Sequence, residues 1–219
     1  MLPWENIDTV MLDMDGTLLD LHFDTFFWLE YLPQRYADIH GLAAEKARES
    51  LHHQIRKTQG KLNWYCTDYW ARQLEVDIMA FKEEIAHKVA LRPAVEPFLA
   101  AARQSGRRVV IVTNCHPDPL ALKMRQVDLR PWVDDIIVSH DFGMPKEDSA
   151  FWEQLQKVEP YTPARTLFVD DSTSVLASAQ NAGIGYVLQI AKPDSQKPPV
   201  NTAAFPLLES FADILPPVL

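Results

Sequence analysis

The chain has 219 residues, 47% of them hydrophobic and 23% charged, and a formal net charge of −9. That balance suits one large soluble domain, or a core domain carrying a smaller insertion. It argues against a nucleic-acid surface, which relies on basic patches that displace counterions, and no apolar run is long enough to span a bilayer. A small anionic substrate stays open, because it needs only a local cation and a few donors.

The opening segment MLPWENIDTV contains acidic residues and enters an apolar run almost at once, unlike a signal peptide, so the expected location is the cytoplasm. The run TVMLD near Thr9 predicts a first strand. From about His22 to Leu91 no strand pattern appears. There, AAEKARESLHHQIRKTQ and DIMAFKEEIAHKVA read as amphipathic helices, with the aromatic piece LNWYCTDYW between them. A regular alternation follows. Strands are predicted at RRVVIVTN, DDIIVSH, RTLFVDD and GYVLQI, and helices at AVEPFLAAARQSG, PLALKMRQVDL, EDSAFWEQLQKVE and STSVLASAQNAG. Gly106 and Gly183 stop two of these helices, and Ser172 and Thr173 start the last. The proline-rich AKPDSQKPPVNTAAFP reads as a surface loop and LLESFADIL as a short docking helix.

The strand runs are continuous rather than alternating, which suits strands covered on both faces. Strand–helix alternation then predicts an α/β fold with a parallel sheet flanked by helices. The expected division is a core of residues 1–20 and 91–219, and a helical cap of residues 21–90. The two cysteines, Cys66 and Cys115, share no metal-type spacing and are expected as reduced thiols. Nothing in the sequence fixes an oligomeric state.

The chemistry concentrates at strand ends. VMLDMDGTLLD places Asp13 and Asp15 two residues apart, on one side of an extended chain. A second acidic pair, Asp170 and Asp171, ends RTLFVDD. Ligands of parallel α/β sheets bind beyond the carboxyl ends of the strands, where the two pairs can meet. Two like charges 4 Å apart repel by about 4 kcal/mol at an effective dielectric near 20. Some of these acids must therefore stay protonated, or a cation must join them. Carboxylate oxygens without nearby His or Cys at metal spacing favour Mg²⁺, which also accepts oxygens of a substrate phosphate. VIVTN supplies Thr113 and Asn114, a hydroxyl and an amide suited to phosphate oxygens. FGMPKED supplies Lys146, a cation for the phosphoryl charge. This inventory matches phosphoryl transfer through an aspartyl-phosphate.

DMDGTLLD resembles the D-x-D-G-T signature of the haloacid dehalogenase (HAD) superfamily, and Thr113-Asn114, Lys146 and Asp170-Asp171 follow in family order. The resemblance implies a Rossmann-like core with an inserted helical cap of the C1 type. It implies that Asp13 is the nucleophile and a Mg²⁺ ligand. Asp15 would act as proton donor and then base, with its main-chain carbonyl on the metal. Thr113 and the Asn114 backbone would hold phosphoryl oxygens, Lys146 would stabilise charge, and Asp171 with Asp170 would complete the metal site. Many relatives carry glycine at the position of Asp170. Within the superfamily the chain is similar to the bacterial GMP/IMP nucleotidases, on LNWYCTDYW, TNCHP, FGMPKED, RTLFVDDS and KPDS. That similarity implies hydrolysis of a purine 5′-monophosphate to nucleoside and phosphate, with a small-molecule substrate and neither nucleic acid nor membrane as partner.

A sugar-phosphate phosphatase or mutase would share the same core with a different cap. Dehalogenase chemistry is disfavoured by Asp15, since displacing halide needs no protonated leaving oxygen. An inactive scaffold is disfavoured because every catalytic position is filled. The aromatics Trp64, Tyr65, Tyr69 and Trp70 read first as insertion core, with one of them able to meet a purine ring. His116 and His22 stand near the motifs, as rim or loop residues. His52 and His53 read as a solvated helix face.

Overall fold

The computed structural model describes residues 2–201 and 204–217. Strand β1 (Thr9–Leu12) leads into helices only: α1 (His22–Phe26), a single π-turn (Phe27–Tyr31), α2 (Leu32–His40), α3 (Ala44–Thr58), α4 (Leu62–Tyr65), α5 (Thr67–Leu74) and α6 (Ile78–Glu84). The alternating part follows as α7 (Val95–Gln104), β2 (Arg108–Thr113), α8 (Pro117–Gln126), β3 (Asp135–Val138), α9 (Ser149–Val158), β4 (Thr166–Asp170), α10 (Thr173–Asn181) and β5 (Tyr186–Ile190). Strand β6 (Leu207–Leu208) closes the sheet. The strands lie in the order β3-β2-β1-β4-β5-β6, and every pairing is parallel. This is the expected Rossmann-like α/β core, flanked by helices.

The continuous apolar runs are explained by the two faces of this sheet. Val10, Leu12, Val109, Ile111, Leu167 and Val169 pack into one hydrophobic cluster. Met11, Val110, Val112 and Phe168, which alternate with them, pack into a second cluster with Trp152 and Leu176. Period-2 side chains with both faces covered confine polar residues to the ends of the central strands, as with Thr9, Thr166 and Asp170.

The helical insertion leaves and re-enters the core at adjacent points. Asp20 N–H donates to the Ala90 carbonyl, Arg92 N–H donates to the Leu18 carbonyl, and Leu19 bridges Leu91. The tail fastens the same place. Leu21 N–H donates to the Pro193 carbonyl, and the Asp20 carboxylate accepts from the backbone N–H groups of His22 and Ser195.

The C-terminal stretch departs from expectation. LLESFADIL is not a helix: Leu207 and Leu208 pair with Gln189 and Ile190 as β6, and only Phe211–Ile214 turns, as a 3₁₀ segment. The free edge of β5 offers backbone partners that a short isolated helix cannot match. A capping box between Ser210 and Asp213 then starts the turn, and Phe211 packs on Phe98. Residues 191–201 form the expected loop; Thr202 and Ala203 of that loop lie outside the described residues.

Candidate active site

Register brings the acids together. Leu12 pairs with both Ile111 and Val169, and Asp13 N–H donates to the Val169 carbonyl at 2.9 Å. Asp13 therefore leaves β1 level with Asp170 at the end of β4, where the strand order switches direction and ligands of such sheets bind. Gly16 turns the chain away with φ +85, and a Cβ there would sit 2.6 Å from the Asp171 Oδ2. Glycine is required by the close approach as well as by the backbone angle.

Asp13, Asp170 and Asp171 have carboxylate oxygens within 4.8 Å of one another. Lys146 stands among them, almost fully buried. Its ammonium donates to Asp13 Oδ1 at 2.6 Å, to Asp170 Oδ2 at 2.7 Å and to the Val112 carbonyl at 2.9 Å, which uses all three of its protons. Asp171 receives none of them. Burial pushes the Asp13 carboxyl up to about 6, against the pull of Lys146 and with the push of Asp170. Burial and the charges of Asp170 and Asp13 raise Asp171 well above the carboxylate range. One ammonium thus faces two buried carboxylates and a third, Asp171, that is half-buried. The surplus negative charge, the all-oxygen donor set and the close spacing fit a hard divalent cation such as Mg²⁺.

Asp15 points to a different partner. Its Oδ1 accepts from Lys123 at 2.7 Å, and Lys123 also donates to Asp24 Oδ2 at 2.6 Å. The other Asp24 oxygen accepts from Lys82 at 2.7 Å, and the Lys82 ammonium lies 4.3 Å from the centre of the Phe27 ring. Lys123 and Lys82 are both almost fully buried. The ladder Asp15–Lys123–Asp24–Lys82 joins the strand end to α8 and to α1 and α6 of the insertion. Burial raises Asp15 to about 6, although Lys123 pulls it down. Burial would also raise Asp24, but the two ammonium groups outweigh it and hold Asp24 well below the ordinary range.

Thr113, buried at the end of β2, accepts the Cys115 N–H at 3.0 Å. The Asn114 side chain is used structurally: its Oδ1 accepts Lys146 N–H and its Nδ2 donates to Glu147, both at 2.9 Å. Glu147 also accepts the Tyr65 hydroxyl at 2.7 Å, across from the insertion. Burial, with the neighbouring Glu147 charge, keeps that phenol protonated far above its ordinary range. The side-chain amide expected to meet phosphate thus serves as a brace, and its main chain is the part left for a ligand.

A cavity of about 490 Å³ runs from Asp13, Asp15, Thr113, Asn114, Lys146, Asp170 and Asp171 to an aromatic wall of Trp28, Trp64, Tyr65 and Trp70 in the insertion. Trp28, Trp64 and Tyr69 also pack on the insertion's core around buried Trp70, so the aromatic cluster serves both as packing and as cavity wall. His116 reaches the rim, where its Nδ1 caps α8 and lies 2.9 Å from Thr67 Oγ1. His22 faces Asp194 at 3.6 Å instead. His53 is exposed and His52 half-buried on α3. Both cysteines are free. Lys123, Asp24, Lys82, Tyr65 and Glu147 are not recognisable from sequence as a set. The one available signal was a lysine between buried Leu122 and Met124 on the face of α8 that should be apolar.

Fold, strand-end acids and lysine together define a HAD-like hydrolase, and a family profile for the haloacid dehalogenase-like hydrolases matches residues 7–183. The chain belongs to that family. It is 38% identical over 218 residues to the GMP/IMP nucleotidase YrfG of Escherichia coli (strain K12), covering 100% of this chain and 98% of that protein. The solved HAD phosphatase from Thermococcus onnurineus superposes with a TM-score of 0.77 at 20% identity, covering 95% of this chain and 96% of that one. CbbY from Rhodobacter sphaeroides, solved in complex with phosphate, gives 0.63 at 18% identity over 95% and 96% of the two chains.

Proposed function

We propose that this chain is a Mg²⁺-dependent phosphatase that hydrolyses purine nucleoside 5′-monophosphates, GMP and IMP, through an aspartyl-phosphate on Asp13. The enzyme is a phosphoric monoester hydrolase. The observation that carries the nucleotide reading is the cavity that joins the acid cluster to an aromatic wall. Its volume suits a drug-sized ligand, and indole and phenol rings suit a planar base. Full-length similarity to a GMP/IMP nucleotidase supports the same substrate class.

In this reading the Asp13 carboxylate attacks phosphorus and the bond to the nucleoside oxygen breaks. Asp15 gives its proton to that oxygen. The rise of Asp15 to about 6 leaves about a tenth of it protonated at pH 7, against almost none for an ordinary carboxyl, as a general acid needs. As a carboxylate, Asp15 then takes a proton from water, which attacks the phosphoryl group and restores Asp13. Thr113 and the main chain of Asn114 hold the phosphoryl oxygens, and Lys146 balances charge beside Asp13. Asp13, Asp170 and Asp171, with the Asp15 carbonyl, are the groups to hold Mg²⁺, which would neutralise the surplus charge and admit an anionic phosphate. Residues 21–90 act as the cap over a core of 1–20 and 91–219. The enzyme works in the cytoplasm on a small molecule. No described helix is long and apolar enough to cross a membrane.

A panel of nucleotides and sugar phosphates, assayed with Mg²⁺ and with EDTA, tests the proposal. GMP and IMP should lead, with phosphate release lost in EDTA. Sugar phosphates turned over much faster than GMP and IMP would overturn the substrate assignment.

A further inference from the structure

A second cluster of ligating side chains lies outside the acid site. Cys66 Sγ and ring nitrogens of His116 and His140 all fall within 4.8 Å of one another. They come from three places: the N-terminal cap of α5 in the insertion, the N-terminal cap of α8, and the 3₁₀ turn Ser139–Phe142 that follows β3. The His116 and His140 rings meet edge to face, with centroids 4.9 Å apart. Both ring nitrogens of His140 are buried, and neither has a hydrogen-bond partner among the described residues. A buried imidazole left unpaired on both sides is costly and calls for a ligand. His116 uses Nδ1 toward Thr67 and the α8 backbone, and its Nε2, 4.0 Å from the Asp68 carboxylate, is the nitrogen left to bind.

We propose that Cys66, His116 and His140 form a binding site for a zinc-class divalent cation that pins the insertion to the core. One thiolate and two imidazoles are the donors such ions select, and Mg²⁺ does not compete for them. Tetrahedral coordination places ligand atoms about 3.5 Å apart. Side-chain rotations of about 1 Å therefore close the site, and water takes the fourth position. Cys66 gives its thiol proton to solvent as the metal–sulfur bond forms. The two metal sites are chemically orthogonal, oxygen donors for one and sulfur with nitrogen for the other. Because His116 and Thr67 also line the cavity, filling this site holds the insertion shut over it.

Cobalt(II) titration with excess Mg²⁺ present tests the site independently of turnover. The protein should bind one equivalent with a thiolate-to-cobalt absorption band in the near ultraviolet. Cys66→Ser, in which serine can still cap α5, should lose the band. His140→Ala should weaken binding at least tenfold, and Asp13→Asn should leave the titration unchanged. One equivalent of Zn²⁺ should slow turnover of the parent enzyme several-fold and of Cys66→Ser much less. No thiolate band, a titration indifferent to His140→Ala, or a titration lost in Asp13→Asn overturns the proposal. Equal zinc inhibition of parent and Cys66→Ser would overturn the pinning.

Discussion

Two buried clusters of aspartate and lysine flank the end of β1, and their charges do not balance in the same way. At the first, Lys146 serves two of three carboxylates and Asp171 is left without an ammonium. At the second, Asp15 and Asp24 alternate with Lys123 and Lys82, two charges of each sign. A buried ion pair offsets its own desolvation only when every charge is met. The second cluster is self-sufficient and holds Asp15 in place. The first carries a surplus of negative charge that a further cation would offset, and the proposed reaction is placed there for that reason. The same two residue types therefore build a balanced support in one cluster and, in the proposed function, a reaction centre in the other.

The largest effect should come from Asp13→Asn. The amide keeps nearly the same size but cannot form the aspartyl bond, so phosphate release should fall at least about a thousandfold, more than about 4 kcal/mol of barrier. Circular dichroism should be unchanged. Substantial remaining activity would refute the covalent route.

Next come the two lysines. Lys146→Met leaves the buried carboxylates of Asp13 and Asp170 unmet beside Asp171 and should cost about 3–5 kcal/mol of stability in EDTA. Saturating Mg²⁺ should recover part of that loss. Lys123→Met should cost a similar or slightly smaller amount, with no recovery, because Asp24 keeps Lys82 and no metal joins that cluster. Denaturant melts with and without Mg²⁺ separate the two cases. Equal rescue of both variants would erase the distinction between a metal-completed cluster and a closed one.

The third effect is smaller and of opposite sign. Asp13 is raised to about 6 in the folded chain from an ordinary 3.8, so the folded state takes up a proton more readily than the unfolded state. Its contribution to stability is therefore unfavourable above pH 6 and fades as pH falls from 6 toward 3.8. In EDTA at pH 7.5, Asp13→Asn should be more stable than the parent by about 3 kcal/mol, as expected for a shift of this size in a buried group. The advantage should shrink through pH 6 and be gone near pH 4. A constant difference across that range would show that crowded charge is not its source.

What could be read in advance follows the same division. The acid cluster was legible because its acids and Thr113 stand at the ends of apolar strands: Asp13 follows β1, Thr113 ends β2 and Asp170 ends β4, while Lys146 lies in the loop beyond β3. A parallel sheet then gathers strand ends without further information. The support was not legible. Lys82–Asp24, Lys123–Asp24 and Lys123–Asp15 are separated by 58, 99 and 108 residues, and the Lys123–Asp24 pair that joins the ladder depends on how the insertion sits on the core. Lysine on a helix reads as solvated until packing is known. Strand β6 was hidden for a related reason. Two leucines carry no period of their own, and only the vacant edge of β5 makes them a strand.

The smallest effect tests whether the contact between insertion and core matters to the substrate. The Tyr65 hydroxyl donates to Glu147, which Asn114 also holds, so one hydrogen bond ties the cavity's aromatic wall to the strand-end loop. Tyr65→Phe deletes the hydroxyl and keeps the ring. Stability should fall by about 1 kcal/mol, the usual worth of such a bond. KM for IMP should rise roughly two- to fivefold with kcat nearly kept, since up to about 1 kcal/mol is lost from binding and none from the chemistry. Tyr65→Ala removes the ring as well, and should raise KM further for IMP than for a small aryl phosphate that cannot span the cavity. If Phe and Ala were equivalent for both substrates, Tyr65 would brace the insertion without touching the base, and recognition would fall to Trp28, Trp64 and Trp70.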